Sequence, residues 1–395
     1  MILALSPFYR DTWVEVSLTN VYENICNMRE YLGSSTRIIA VVKANAYGHG
    51  DLEVAKTAIK AGASVLAVAI LDEALALRKG GIAEPILVLG VTRPEDAVIA
   101  AEHNISLTVF QEDWLQKTKG LQTELPLNIH VKYDTGMNRL GAKTLDELRR
   151  IALAVQENPL FSLEGLYTHF ATADEIDTIY FDKQYSKFVE AVDMISSLSI
   201  EVPIIHCGNS ATGLRFPTKL FNAVRMGISM YGLSPSIEMK NILPFELKEA
   251  FSLHSRLTHV KEIKAGESIS YGATYTAERN EWIGTVPMGY ADGWFRRLSN
   301  REVLINGERT PILGRICMDQ FMIRLPREVE IGTRVTLIGS QLNHTISIDE
   351  IASELHTINY EIPCMIGNRV PRVYIENNCI VEVNNPILQF VKQDE

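Results

Sequence analysis

The chain has 395 residues, of which 46% are hydrophobic and 22% charged, enough apolar material for two domains or for one large barrel with an appendage. Its formal net charge is −10 at pH 7, and with no arginine-rich tract this acidic balance argues against a nucleic-acid or anionic-membrane partner. Five scattered cysteines (Cys26, Cys207, Cys317, Cys364 and Cys379) without Cys-x-x-Cys spacing make a disulfide framework or a zinc site improbable.

The N-terminal stretch MILALSPFYRDTW has four apolar residues after Met1 and no basic region before them, too short a core for a secretory leader. The longest apolar run, around 63–71, falls far below membrane-spanning length. The expectation is a cytoplasmic enzyme or binding protein.

Along the first 230 residues, short apolar runs recur at 37–44, 64–70, 85–90, 105–109, 126–133, 163–170, 203–207 and 222–229. Near-continuous apolar runs of this kind predict parallel strands covered on both faces. Helical patterns lie between them. Residues 145–155 place Leu148, Ile151, Ala152 and Val155 on one face, with Thr144 and Glu147 set as a capping box. Thr92-Arg93-Pro94-Glu95 predicts a second helix start by the same device, and 52–62 and 177–198 also read as helices. Eight strands with intervening helices fit a (β/α)8 TIM-type barrel or an open doubly wound sheet. No Gly-x-Gly-x-x-Gly follows the first strand, which weakens the second choice.

Beyond about residue 240 the texture changes to alternating segments at 257–263, 303–306 and 334–338, separated by turn signals at Ala265-Gly266 and Asn306-Gly307. This predicts a mainly antiparallel β domain. The division expected is 1–240 for the barrel and 241–395 for the β domain, with residues 10–17 as a strand that can pair with the latter.

A barrel carries its active site at the C-terminal ends of its strands. Those ends hold Lys43, Lys132 with Asp134 and Arg139 beyond it, His169, His206 with Asn209 and Ser210, and Arg225. Each alone is ordinarily a solvated loop residue or a hydrogen-bonded structural one. Together they point to an anionic small-molecule ligand. A lysine at the end of a buried strand is desolvated and suited to Schiff-base chemistry.

The segment VKANAYGHG at 42–50 resembles the pyridoxal-phosphate attachment motif of alanine racemases. VKYDTGMNRLG (131–141), GLYTHFATADE (165–175), ISYGATY (269–275), GYADG (289–293), GRICMDQF (314–321) and INYEIPCMIGNRVPRVY (358–374) are similar to blocks of the same family, in the same order. The resemblance implies interconversion of L- and D-alanine by a two-base mechanism, supplying D-alanine for peptidoglycan. Lys43 would carry pyridoxal 5'-phosphate and act as one base. Tyr271, given by the partner subunit of a homodimer, would act as the other from the opposite face. A phenol is a poor base near neutral pH, and the resemblance implies His169, backed by Arg225, as the group that improves it.

It further implies Arg225 facing the pyridine nitrogen, which a guanidinium cannot protonate. The phosphate would be held by Tyr47, Ser210, Tyr360 and the amides around Gly227 and Ile228, with His206 and Asn209 on the same wall. Arg139, Met318, Tyr271 and Tyr290 would meet the substrate, and Arg139 also the cofactor. Lys132 matches a lysine often carbamylated in the family; its plain alternative is a lysine paired with Asp134. Asp174, Arg296, Arg315 and Ile358 match the entrance. Gly208, Gly213 and the Trp294-Phe295 pair depart from the commoner pattern, which leaves the phosphate wall and entrance shape open. A racemase of other or broader specificity, a decarboxylase of the same cofactor, and a non-catalytic cofactor carrier are the rival readings.

Overall fold

A computed structural model of the chain describes residues 8–391. The leader-peptide reading of MILALSP therefore lies outside the described residues. The chain divides into two compact units. One holds Asn20–Ala46 and Asp51–Glu249, and the other the described residues up to Thr19, the short stretch Tyr47–Gly50, and the chain from Ala250 onward. No helix among the described residues is long and apolar enough to cross a membrane.

The first strand, β1 (Thr12–Ser17), belongs to the second unit. In the barrel unit the strands are β2 (Arg37–Val41), β3 (Val65–Val68), β4 (Ile86–Val88), β5 (Ile105–Val109), β6 (Leu127–Lys132), β7 (Phe161–Tyr167), β8 (Ile204–His206) and β9 (Ala223–Met226). Among the described residues they form one eight-stranded parallel sheet in the order β8-β7-β6-β5-β4-β3-β2-β9. A parallel bridge between Gly208 and Val224 joins the two end strands and brings the sheet near to closure. All eight predicted strands are present. Their buried Val, Ile, Leu and Ala side chains, such as Ile39, Leu66, Leu87 and Leu107, exclude water from both faces.

The helix Leu145–Gln156 buries Leu148, Ile151, Ala152 and Val155, and the Thr144 side chain accepts from Glu147 N. Glu147 returns the contact one residue earlier than expected, accepting from Lys143 N at 2.7 Å. The start near Thr92 differs from expectation. The first turn is a 3-10 turn over Pro94–Asp96, Arg93 occupies the cap without a side-chain bond, and the buried Thr92 hydroxyl has no partner among the described residues. Pro94 does take the first-turn position, where its missing N–H costs nothing.

The second unit is a mainly antiparallel sheet of β10 (Phe251–Arg256), β11 (His259–Ile263), β14 (Glu281–Val286), β15 (Glu302–Ile305), β16 (Glu308–Leu313), β17 (Phe321–Leu325), β18 (Arg334–Gln341), β19 (His344–Ile346), β20 (Arg372–Glu376) and β21 (Cys379–Asn384), with a separate ribbon of β12 (Ser268–Ile269) and β13 (Tyr275–Thr276). β1 is inserted between β10, to which it runs antiparallel with Thr12 opposite Ser255, and β20, to which it runs parallel with Val14 opposite Arg372. Asn306 and Gly307 both take positive φ, 50° and 78°, as a two-residue hairpin turn between β15 and β16 requires.

Candidate active site

At the end of β2 the backbone does something the sequence does not announce. Ala44, Asn45 and Ala46 take φ of 53°, 54° and 51° and ψ near 50°, and Tyr47 follows with φ 53°. A left-handed run of non-glycine residues costs roughly 1–2 kcal/mol per residue, so it needs fixing. The Glu73 carboxylate supplies part of that fixing, accepting from Ala44 N at 2.6 Å and from Ala69 N at 2.7 Å, and so ties the ends of β2 and β3 together. Asn45 accepts from Asp51 N at 3.0 Å. Lys43, at the start of this turn, is half-buried.

Lys132, the last residue of β6, is the more enclosed lysine, at 4% exposure. Its Nζ makes no hydrogen bond or ion pair among the described residues and lies 5.4 Å from the centroid of the Tyr167 ring. Burial, reinforced by the like charges of Arg139, Arg225 and Lys43, pushes its amine down to about 8. Asp134 opposes that shift from a distance, because its carboxylate is directed elsewhere. It accepts from Gly136 N and Asn138 N, both at 3.0 Å, and from Lys143 Nζ at 3.2 Å. This loop fold leads to Arg139, which is exposed.

Arg225 on β9 is buried and donates to five acceptors, none of them acidic. They are His206 Nδ1 at 2.8 Å, His169 Nδ1 at 3.2 Å, and the carbonyls of His206, Thr168 and Cys207. A guanidinium only donates, so both imidazoles present a bare Nδ1 to it. Burial first, and then the adjacent positive charges, push His169 and His206 well below the usual histidine range. Both are therefore neutral with the proton on Nε2, and His169 keeps an N–H to donate away from Arg225.

Ser210 Oγ accepts from Gly227 N at 2.9 Å and Ser229 N at 3.4 Å, which leaves its O–H to donate. The Gly227 amide is engaged in this way. Asn209 caps the short helix Ser210–Arg215, accepting from Thr212 N. Lys43, Lys132, Arg139, His169, His206, Asn209, Ser210, Arg225, Gly227 and Ile228 all belong to the barrel unit.

The remaining candidates lie in the other unit. Tyr47 is buried there with its ring 6.1 Å from that of Tyr360, and burial raises its phenol above the usual range. Tyr271, Tyr290 and Met318 are exposed, at 69%, 41% and 53%. Backbone bonds from Tyr290 N to Cys317 O and from Ala291 N to Met318 O, both 3.1 Å, bring the GYADG and GRICMDQF blocks together. Gly289 is required at that crossing, because an added Cβ would fall on the Met318 and Cys317 carbonyls. Ile358 is also exposed. Trp294, by contrast, is fully buried and only Phe295 is exposed; of that pair Trp294 fills core.

Two family models match the chain, the alanine racemase N-terminal domain over residues 16–235 and the alanine racemase C-terminal domain over 250–374. The alanine racemase of Anoxybacillus flavithermus is 60% identical over 384 residues, which cover 96% of this chain and 99% of the relative. The chain belongs to the alanine racemase family. The crystal structure of alanine racemase from Bacillus anthracis, solved with bound L-Ala-P, superposes with a TM-score of 0.93 at 51% identity and covers 97% of this chain and 99% of that one. The fold reaches beyond one substrate, since histidine racemase from Leuconostoc mesenteroides superposes at 0.86 with 32% identity, covering 94% and 99%.

Alanine racemases use pyridoxal 5'-phosphate, and the donor set at this barrel mouth fits such a group. Lys43, Arg139 and Arg225 all act electrostatically on Lys132 and on His169 there, while the neighbouring Asp134 is turned to its own loop and to Lys143. A hydroxyl donor from Ser210 completes a surface suited to a phosphate and a carboxylate. Sequence reasoning missed Glu73, His130, Glu164 and Tyr167. The available signal was an ionisable residue in the middle of an apolar strand, as His130 is in β6 and Glu164 in β7.

Proposed function

We propose that this chain interconverts L- and D-alanine with pyridoxal 5'-phosphate carried on Lys43. The observation that carries the reading is the barrel mouth, where cations gather around a buried arginine that has no acidic partner among its hydrogen bonds. When bound, the cofactor supplies the electron sink that makes loss of the proton at Cα possible. Lys43 takes or returns that proton on one face. Tyr271 of the partner subunit does so on the other, and its exposure supports a role completed by a second chain. His169 Nε2–H donates to the phenolic oxygen and steadies its anionic form. Arg225 would donate to the ring nitrogen without protonating it, which would make the ring a weaker electron sink and disfavour transamination.

Ser210 O–H and the amide of Ile228 would donate to the phosphate, and the resemblance adds the phenols of Tyr47 and Tyr360 as donors. Arg139 would hold the cofactor phenol oxygen and the substrate carboxylate, with a backbone contact from the partner's Met318. Lys132 is the candidate for carbamylation. Burial brings its amine down to about 8, so near neutral pH a larger fraction is uncharged than for an ordinary lysine, as attack on carbon dioxide requires, and the carbamate anion would orient Arg139. Lys132→Ala should regain activity on addition of acetate; no rescue would remove the carbamate from the account. The remaining parts of the reading are a head-to-tail homodimer, a cytoplasmic location and supply of D-alanine to the cell wall.

The deciding experiment is exchange of the Cα proton for deuterium with L-alanine, L-serine and L-histidine, followed by chiral analysis. Exchange with inversion, fastest for alanine, is the expected result. Preference for serine or histidine keeps the mechanism and changes the substrate, a difference that one or two pocket side chains can make at about 1–3 kcal/mol. No exchange with cofactor present would make the chain a carrier.

A further inference from the structure

Glu164, mid-way along β7, has no part in the chemistry proposed above. Its carboxylate accepts from Ser106 Oγ and, at 3.0 Å, from His130 Nε2. His130 Nδ1 lies 3.0 Å from His206 Nε2, and His206 Nδ1 lies 2.8 Å from the Arg225 guanidinium. One unbroken path of hydrogen bonds therefore runs from a β7 carboxylate, through two fully buried imidazoles on β6 and β8, to the arginine on β9.

The ends of this path leave one direction. Arg225 can only donate and an ionised carboxylate can only accept. Burial works against the Glu164 charge, but the bonds from His130 and Ser106, with Arg37 nearby, hold its carboxyl below the ordinary range. His206 must then accept at Nδ1 and donate from Nε2. His130 must do the same, and its Nε2–H ends on Glu164. Every bond points from Arg225 toward Glu164, and neither imidazole carries a charge.

The surroundings are shaped to this path. A Cβ at Gly165 would fall on the His130 ring, so only glycine leaves room for it. Tyr167 stacks on His206 with centroids 4.6 Å apart and planes 5° from parallel, which fixes the ring azimuth.

We propose that Glu164 and His130 are positioning residues for Arg225, a one-way line of hydrogen bonds that gives the guanidinium a distant counter-charge and keeps acids away from its other face. The inference rests on the reading that Arg225 faces the cofactor ring. A carboxylate beside Arg225 would stand where it could itself engage the ring nitrogen. A carboxylate two imidazoles away balances charge and orients the arginine without that competition.

The test uses holoenzyme labelled with 15N-histidine, with resonances assigned by single-histidine replacement. Neutral Nε2–H forms are expected at both His130 and His206. Glu164→Leu removes the terminal acceptor; His130 should then populate both neutral forms, and kcat should fall on the order of tenfold with KM for alanine unchanged, as for lost outer partners of histidine ligands. Glu164→Gln still accepts through its amide oxygen and should restore the single form and most of kcat. An Nδ1–H or a charged imidazole at either position in the unaltered protein would overturn the proposal, as would equal kcat for the Leu variant and the parent. The resonances are read without turnover. Expected resonances in a protein that racemises nothing would sink the functional reading and leave the line of hydrogen bonds standing, and the reverse pair of results would do the opposite.

Discussion

Arg225 in the barrel unit and Tyr271 in the β unit are both candidate site residues, yet one donates to five acceptors inside the core and the other makes no side-chain hydrogen bond among the described residues. The same contrast holds for their neighbours. Lys132, His206 and Ser210 are enclosed, and burial together with the Arg225 charge lowers both the Lys132 amine and the His206 imidazole, whereas Tyr290 and Met318 stand in the open. A buried polar group affects stability as well as function, because the fold must satisfy it. An exposed one affects function alone, and only after something covers it. Substitutions should therefore behave differently in the two regions.

The largest effect should come from Lys43→Ala or Tyr271→Phe, each lowering kcat by at least ~10³-fold as a lost acid–base group does. Mixing the two inactive chains sharpens the comparison. If the β unit completes a partner's barrel, half the exchanged dimers carry one intact site, and about a quarter of the parent activity should return. Confirmed exchange with no regain would place both residues in one chain.

Arg225→Glu is expected next. A carboxylate facing the ring makes a stronger electron sink, so the ratio of racemisation to transamination should fall, on the order of tenfold or more. An unchanged ratio, measured by pyruvate formation against inversion, would remove the arginine from control of the reaction's outcome.

Lys132→Met tests the stability side of the comparison. The folded amine sits at about 8 against an ordinary value of 10.5, so between those limits the unfolded chain binds more protons and stability rises with pH. The penalty is fully present below pH 8, is lost as pH rises toward 10.5, and is worth ~3 kcal/mol at most. In bicarbonate-free buffer the Met variant should have the higher urea midpoint at pH 7, with the two converging near pH 10. Parallel curves would show that the lysine is not enclosed as described. At the small end, Met318→Ala and Tyr290→Phe should change the urea midpoint of separated chains by no more than about 0.5 kcal/mol equivalent, while still altering KM. A large loss of stability would mean that these residues are core.

Glu73 shows why parts of the site were illegible. Nothing in LDEALALRK distinguishes it from a helix first-turn acid, favourable there for reasons of dipole alone. Its function of holding Ala44 in a left-handed turn depends on β2 and β3 lying side by side. The Trp294-Phe295 pair was legible as a departure but not as a split between core and surface. Thr92 matched a capping pattern and did not cap, because Pro94 and Arg93 set the first turn instead.

By itself the sequence determined the eight buried strands, the change to alternation in the β unit, the helix at 145–156 and the roll of ionisable residues at strand ends. These follow from local patterning, since apolar period and capping chemistry act over a few residues. The tertiary structure alone decided which of those residues share a proton or a charge. The line Arg225–His206–His130–Glu164 joins residues 19, 76 and 34 positions apart, and the depressed Lys132 amine reflects burial and charges brought from its own loop and from two other segments. Such electrostatics depends on distance through space and on exclusion of water, neither of which a linear pattern encodes.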